Sequence, residues 1–166
     1  MASQFENPAN PEYHYQTTAQ EIFEQMQGRI DAAVIGAGTG GTFTGVARFL
    51  KERVPNCKTI IVETQGSVIG GGPAGPHRVE GIGASFIPET LDLSLSDGVI
   101  TVQDEDAFRT VLELARREGV LGGGSTGANV FAAMRVARRL GPGKRVVTIA
   151  PDAADRYMSK GIFGGK

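Results

Sequence analysis

Gly36, Gly38 and Gly41 follow the apolar run DAAVIG and precede FTGVARFLKER, with Thr39 and Thr42 set among them. Glycines so placed bare backbone N–H groups, and a helix starting there adds roughly half a positive charge at its amino end. The segment is therefore suited to hold a phosphate. Thr39 and Thr42 add hydroxyl donors in a loop that has no arginine or lysine, which suits a compact terminal phosphate dianion. A second cluster, GGGSTG at 122–127, sets Ser125 where another loop enters another helix. Taken alone, Ser125 reads as a helix N-cap. The plain alternative for the first cluster is a tight strand-to-helix turn that binds nothing.

The spacing Gly36, Gly38, Gly41 also spells the dinucleotide fingerprint G-x-G-x-x-G, and Glu63 closes the next strand where a ribose-binding acid would stand. On local pattern an NAD-binding Rossmann domain and a terminal phosphate site are both open.

Elements must position these residues. FENPANPEYHY, with two Asn-Pro steps, reads as an extended lead-in over 1–16. Thr17 or Thr18 caps a helix to about Gln27, stopped by Gly28. DAAVIG (31–36) reads as a buried strand, Phe43 to Arg53 as a helix ended before Pro55, and KTIIVE as a strand closing at Glu63. Thr64 to about Leu95 is long, glycine-rich and without periodicity, the kind of segment that is usually functional. GVITV is a strand, DEDAFRTVLELARREG a helix with acids first and bases last, ANVFAAMRVARRLG a second amphipathic helix, and KRVVTIAP a buried strand; the tail from Ala154 is mostly irregular. Alternating strands and helices predict an α/β domain over 17–166: three layers, a mostly parallel sheet with helices on both faces. Ligands of such sheets bind at the carboxyl ends of the strands, where one pocket could use both glycine clusters.

Composition narrows the classes. The 166 residues carry a formal charge of −1, so no field for nucleic acid or anionic lipid is present. No apolar run approaches the roughly 20 residues of a membrane-spanning helix, and the first residues lack a signal-peptide pattern. Cys57 is the only cysteine; no internal disulfide can form, and a cytoplasmic location is expected. Arg116, Arg117, Arg135, Arg138 and Arg139 read as solvated helix faces. His14 and His77 are isolated, and no cluster has metal-ligand spacing, so no metal is expected.

Four ordered segments carry a resemblance. GTGGTFTGVARFLKE is similar to the phosphate-binding loop and following helix of cysteine synthases (O-acetylserine sulfhydrylases) and cystathionine β-synthases, fold type II pyridoxal-phosphate (PLP) enzymes. QFENPANPEYHYQTTAQEI resembles that family's lead-in to the large domain, GPHRVEGIGASFIP its active-site loop, and GGGSTGAN with PDAADRYMSKGIF its carboxyl-terminal part. A dinucleotide domain would explain only the first of these. The resemblance implies that Gly38, Thr39, Gly40, Gly41 and Thr42 hold the PLP phosphate. It implies that Ser125 hydrogen-bonds the pyridine nitrogen, with Pro151 and Asp152 nearby. Asp152 also reads as a turn residue. A neutral hydroxyl on the ring nitrogen makes a weaker electron sink and favours β-elimination and β-replacement over transamination. Glu80, Gly81, Ile82, Gly83 and Ala84 match the loop lining the substrate side. Glu80 resembles the cystathionine β-synthases and Ala84 the sulfhydrylases, leaving sulfide against homocysteine undecided.

The family's Schiff-base lysine and its substrate-carboxylate loop belong to an amino-terminal half that has no match here. The five lysines are Lys51, Lys58, Lys144, Lys160 and Lys166. Lys51 lies in a helix, Lys58 and Lys144 begin strands, and Lys160, in YMSKG, matches the family's structural tail. The expectation is thus a carboxyl-terminal half holding the phosphate cradle. It serves a small amino-acid substrate with a complementary amino-terminal half, or it is a non-catalytic PLP-binding or partner-binding domain. Exposed apolar surface and a homo-oligomer, as in the family, are also expected.

Overall fold

A computed structural model describes residues 3–160 and 162. Four parallel strands form one sheet in the order β3-β2-β1-β4: β1 is Ala32–Gly36, β2 Lys58–Thr64, β3 Gly98–Val102 and β4 Val146–Thr148. The register sets Val34 beside Ile60 and Thr148. Alternation along β1 sends Ala33 and Ile35 to one core and Ala32 and Val34 to the other, as a period of two requires when both faces are covered. The first core packs under α1 (Ala9–Gln16), α2 (Thr18–Gln25) and α3 (Gly41–Arg53); the second under α4 (Asp104–Glu118) and α5 (Gly124–Leu140). These are the three layers expected. No described helix is long and apolar enough to cross a membrane.

Several local expectations are corrected. The lead-in is helical over Ala9–Gln16, because both prolines fall where a helix tolerates them: Pro8 at the N-cap and Pro11 in the first turn, where no intrahelical N–H bond is lost. Asn7 Oδ1 accepts from the Ala9 N–H at 2.9 Å and completes the start. Thr17 does not cap α2. Its hydroxyl donates back to Tyr13 O at 2.8 Å and closes α1. Helix α3 begins two residues earlier than expected, at Gly41, and α5 begins at Gly124, placing Ser125 inside the first turn and not at the N-cap. β4 is half-buried, since it is the edge strand. Ala154–Lys160 forms a 3₁₀ helix instead of an irregular tail.

The long segment after β2 contains one short 3₁₀ turn, Leu93–Leu95, and is otherwise held by specific bonds. Val68 N–H donates to Ala84 O, Gly75 N–H to Gly66 O, and Gly83 N–H to Ala37 O at the end of β1. The last of these pins the segment against the sheet where the first glycine cluster emerges.

Helix α1 crosses α3 closely over Gly41 and Gly45. A Cβ on Gly45 would stand 2.7 Å from Tyr15 N and 2.8 Å from His14 Cβ, with Pro11 O closer still. Only glycine permits that approach.

Candidate active site

β1 ends at Gly36, and the chain turns through Ala37–Gly40 into α3. Gly40 occupies the N-cap with φ +84°, a conformation that disfavours a side chain, and it supplies no capping group. The first turn of α3 therefore opens on a cavity of about 450 Å3 lined by Gly36, Gly38, Thr39, Gly40 and Thr42, with Gly81, Ile82, Asn129 and Pro151 across from them. Gly38, Thr39, Gly81 and Ile82 also border an adjoining cavity of about 650 Å3, reaching Glu80, Gly83, Ala84 and Phe86. A Cβ on Gly38 would collide with Gly81 O, so the two loops abut at backbone distance.

The two cradle threonines are held from one face of α1. Asn10 Nδ2 donates to Thr39 Oγ1 at 3.1 Å. One turn later, His14 Nε2 lies 3.1 Å from Thr42 Oγ1 and its Nδ1 2.9 Å from Thr18 Oγ1. With the imidazole proton on Nε2, Thr42 keeps its own proton for an anion. Burial pushes the His14 imidazole below its ordinary value, towards the neutral form. Thr90 Oγ1 donates to Thr39 O at 2.6 Å and steadies the loop from the other side. His14, read from sequence as isolated, is thus part of the cradle, as is Asn10. Their i,i+4 spacing is a helical signal that an extended reading of the segment conceals.

The second glycine cluster works differently. Asp152 Oδ1 accepts from Gly123 N–H at 3.1 Å, Thr126 Oγ1 at 3.0 Å and Ser125 Oγ at 3.4 Å, and the carboxylate also hydrogen-bonds the Tyr157 hydroxyl. The amino end of α5 therefore already holds a negative charge supplied by the chain itself. The amino end of α3, by contrast, has no acidic residue in its first turn and no side-chain cap. Ser125 is buried, turned to Asp152, and does not line the 450 Å3 cavity, whereas Pro151 does.

Glu63, the acid of the dinucleotide reading, is 2 % exposed and accepts from Gly70 N–H at 3.0 Å and Thr101 Oγ1 at 2.8 Å. A carboxylate engaged inside the sheet is not presented to a ribose. Among the described side chains no lysine lines either cavity. Lys51 and Lys58 pair with Asp97, and Lys144 pairs with Asp31. The Lys160 side chain and Lys166 lie outside the described residues.

Comparison with known proteins identifies the family of the chain. Residues 1–152 match the family described as pyridoxal-phosphate dependent enzyme. The chain is 48% identical over 162 residues to the O-acetylserine dependent cystathionine β-synthase of Bacillus subtilis (strain 168), covering 98% of this chain and 53% of that protein. It is 49% identical over 163 residues to a cysteine synthase of Helicobacter pylori (strain ATCC 700392 / 26695), covering 96% of this chain and 52% of the relative. A crystal structure of O-acetylserine dependent cystathionine β-synthase from Helicobacter pylori superposes with TM-score 0.90 at 49% identity, over 96% of this chain and 52% of the other. The chain spans about half the length of the relatives it matches.

Proposed function

The chain belongs to the pyridoxal-phosphate dependent enzyme family, and on that premise we propose that it is the phosphate-binding part of an enzyme of β-replacement at an activated serine. O-acetylserine is the proposed substrate, by similarity to relatives whose names include it. Sulfide or homocysteine is the sulfur donor. The observation that carries this reading is the uncapped, braced amino end of α3, which opens on the cavity it shares with the 80–84 loop.

The residues present fit the cofactor's phosphate. Thr39 and Thr42 supply hydroxyls, the first turn of α3 supplies N–H groups and a positive dipole end, and Gly38 and Gly40 leave no Cβ in the way. Bound there, PLP supplies a sink for negative charge at the substrate α-carbon. Gly81 and Ile82 wall the cavity from the substrate side, and Ser125, anchored to Asp152, is assigned to the ring nitrogen. The proton on the α-carbon needs a base. No described lysine borders the cavity, so we assign that base, with the Schiff-base lysine, to a complementary polypeptide segment. Phe86 beside the adjoining cavity, and Ile87, Leu121 and Met158, are exposed apolar side chains suited to such a contact.

The test is reconstitution. Mixed with a lysine-bearing amino-terminal segment of a relative and PLP, the chain is expected to form cysteine from O-acetylserine and sulfide, and Thr42→Val to abolish PLP retention. A folded complex that retains PLP yet makes neither cysteine nor, with homocysteine, cystathionine would refute the reading. That no lysine lines the cavity among the described residues favours one second reading, a PLP-holding domain with no chemistry of its own. That reading predicts retained PLP with a free-aldehyde spectrum and no turnover in any such mixture.

A further inference from the structure

Three acids open α4 in a row, and as a pattern they read alike, as favourable charge at the amino end of a helix. The structure separates them. Glu105 is 76 % exposed, and Asp106, at 28 %, pairs with Arg109 along its own helix. Asp104 is the least exposed, at 17 %, and its carboxylate reaches another segment: Oδ2 accepts from the main-chain N–H of Arg78 at 2.8 Å. The Arg78 guanidinium also approaches, with Nε 3.4 Å from the same oxygen and a second nitrogen 3.5 Å from Glu105, but that side chain is 67 % exposed. Ion pairs so placed contribute little. A charge-assisted bond from a main-chain donor to a mostly buried carboxylate is the stronger tie.

Arg78 stands two residues before the 80–84 loop. Val79, next in the chain, is buried in the second core with Ala107, which lies one turn beyond Asp104 on α4. The far end of the loop is held separately, by Gly83 N–H on Ala37 O. Between these holds Gly81 takes φ +84°, and Ile82 packs so closely on the end of β1 that a Cβ on Gly36 would meet its Cγ2 at 2.7 Å. The wall facing the cradle is thus a short span stretched between α4 and β1. We infer that Asp104 is a positioning residue: it ties the main chain at Arg78 to α4 and thereby sets Gly81 and Ile82 against Gly38. That an amino-acid substrate meets this wall rests on the function proposed above; the tether itself does not.

Amide hydrogen exchange of the full chain, read residue by residue by NMR, tests the tether without cofactor or substrate. The reporter is Gly83 N–H, whose own partner, Ala37 O, no variant touches. Asp104→Ala is expected to raise its exchange about tenfold, the loss of one charge-assisted hydrogen bond, with the amides of β1 and β2 unchanged. Asp104→Asn, which keeps an acceptor oxygen, is expected to restore most of the protection. Arg78→Ala keeps the N–H, and Asp106→Ala removes equal charge from the same helix end; both are expected to exchange as wild type does. An unchanged Gly83 amide in Asp104→Ala overturns the proposal. So does equal loosening by Arg78→Ala, which would give the hold to the guanidinium, or an equal rise throughout the sheet, which would make Asp104 a stabilising residue only. In the reconstituted enzyme Asp104→Ala is expected to raise KM for O-acetylserine about tenfold while PLP is retained, and an unchanged KM overturns the link from tether to substrate. A wild-type mixture without turnover fails the function proposed above instead, and the exchange comparison still decides the tether.

Discussion

Gly45→Ala sets helix propensity against packing, and the two give opposite signs. Within α3, alanine is favoured over glycine by about 0.8–1 kcal/mol, so propensity alone predicts a more stable protein. The added methyl, however, would stand 2.7 Å from Tyr15 N and 2.8 Å from His14 Cβ, where ordinary contact begins at 3.4 Å, and closer still to Pro11 O. Two of the three obstacles are main-chain atoms of α1, which cannot rotate aside; the helix itself must shift by several tenths of an ångström. Overpacking of this kind costs about 1–3 kcal/mol, and rigid backbone on both sides puts this case towards the upper part of that range. The net expectation is destabilisation by about 1–2 kcal/mol, a fall in melting temperature of roughly 2–8 °C for a chain of this size. Thermal unfolding followed by circular dichroism reads it directly. Because the same shift carries Asn10 and His14 away from Thr39 and Thr42, PLP affinity should fall in parallel. A variant that melts at or above the wild-type temperature would refute the close-packing account and leave propensity as the whole effect.

Other perturbations test the electrostatics. Burial pushes the Asp97 carboxyl up, but hydrogen bonds from Lys51, the Thr59 N–H and Lys58 together hold it well below the usual carboxylate range. Its contribution to stability is present above about pH 4 and lost as pH falls further, so Asp97→Asn should flatten the acid side of a melting-temperature profile; an unchanged acid limb would count against the cluster. Burial, then the hydrogen bond to Asp152, pushes the Tyr157 hydroxyl up to about 12. That contribution is complete below pH 10 and disappears as pH rises towards 12, and ultraviolet titration should show Asp152→Ala lowering one tyrosine's ionisation. Cys57 is buried and its thiol is pushed up to about 11, mainly by burial. A disulfide reagent at pH 8 should therefore label it only at the rate of unfolding, and prompt labelling of native protein would show that the first core is open.

Much of this was legible in residue pattern, for identifiable reasons. β1 and the cradle were readable because an apolar run meets a glycine cluster with nothing between them, and α4 because its acids and bases sort to opposite ends. The lead-in reads as extended because proline breaks a helix interior, whereas Pro8 and Pro11 both fall at the start of α1, where proline is allowed. An extended reading also hides Asn10 and His14, whose partners lie about thirty residues away. Asp152 was placed near the ring by resemblance, but its hold on three groups at the start of α5 depends on a chain reversal that no local pattern encodes. Asn129 sat in plain view within GGGSTGAN. Only three-dimensional placement shows that its Nδ2 donates to Ile149 O while its Oδ1 is buried without a partner.

The brace from α1 to the cradle also bears on the order of folding. Asn10 and Thr39 are separated by 29 residues and His14 and Thr42 by 28, whereas the Thr148 side chain must reach Val34 O across 114. Contacts between near neighbours in sequence close with a small loss of chain entropy, and distant ones form later. During synthesis the amino-terminal segment leaves the ribosome first. The loop, α1 and α3 can therefore assemble while α5 and β4 are still being made. The braced loop is organised early, and the wall bearing Asn129 and Pro151 is laid against it last.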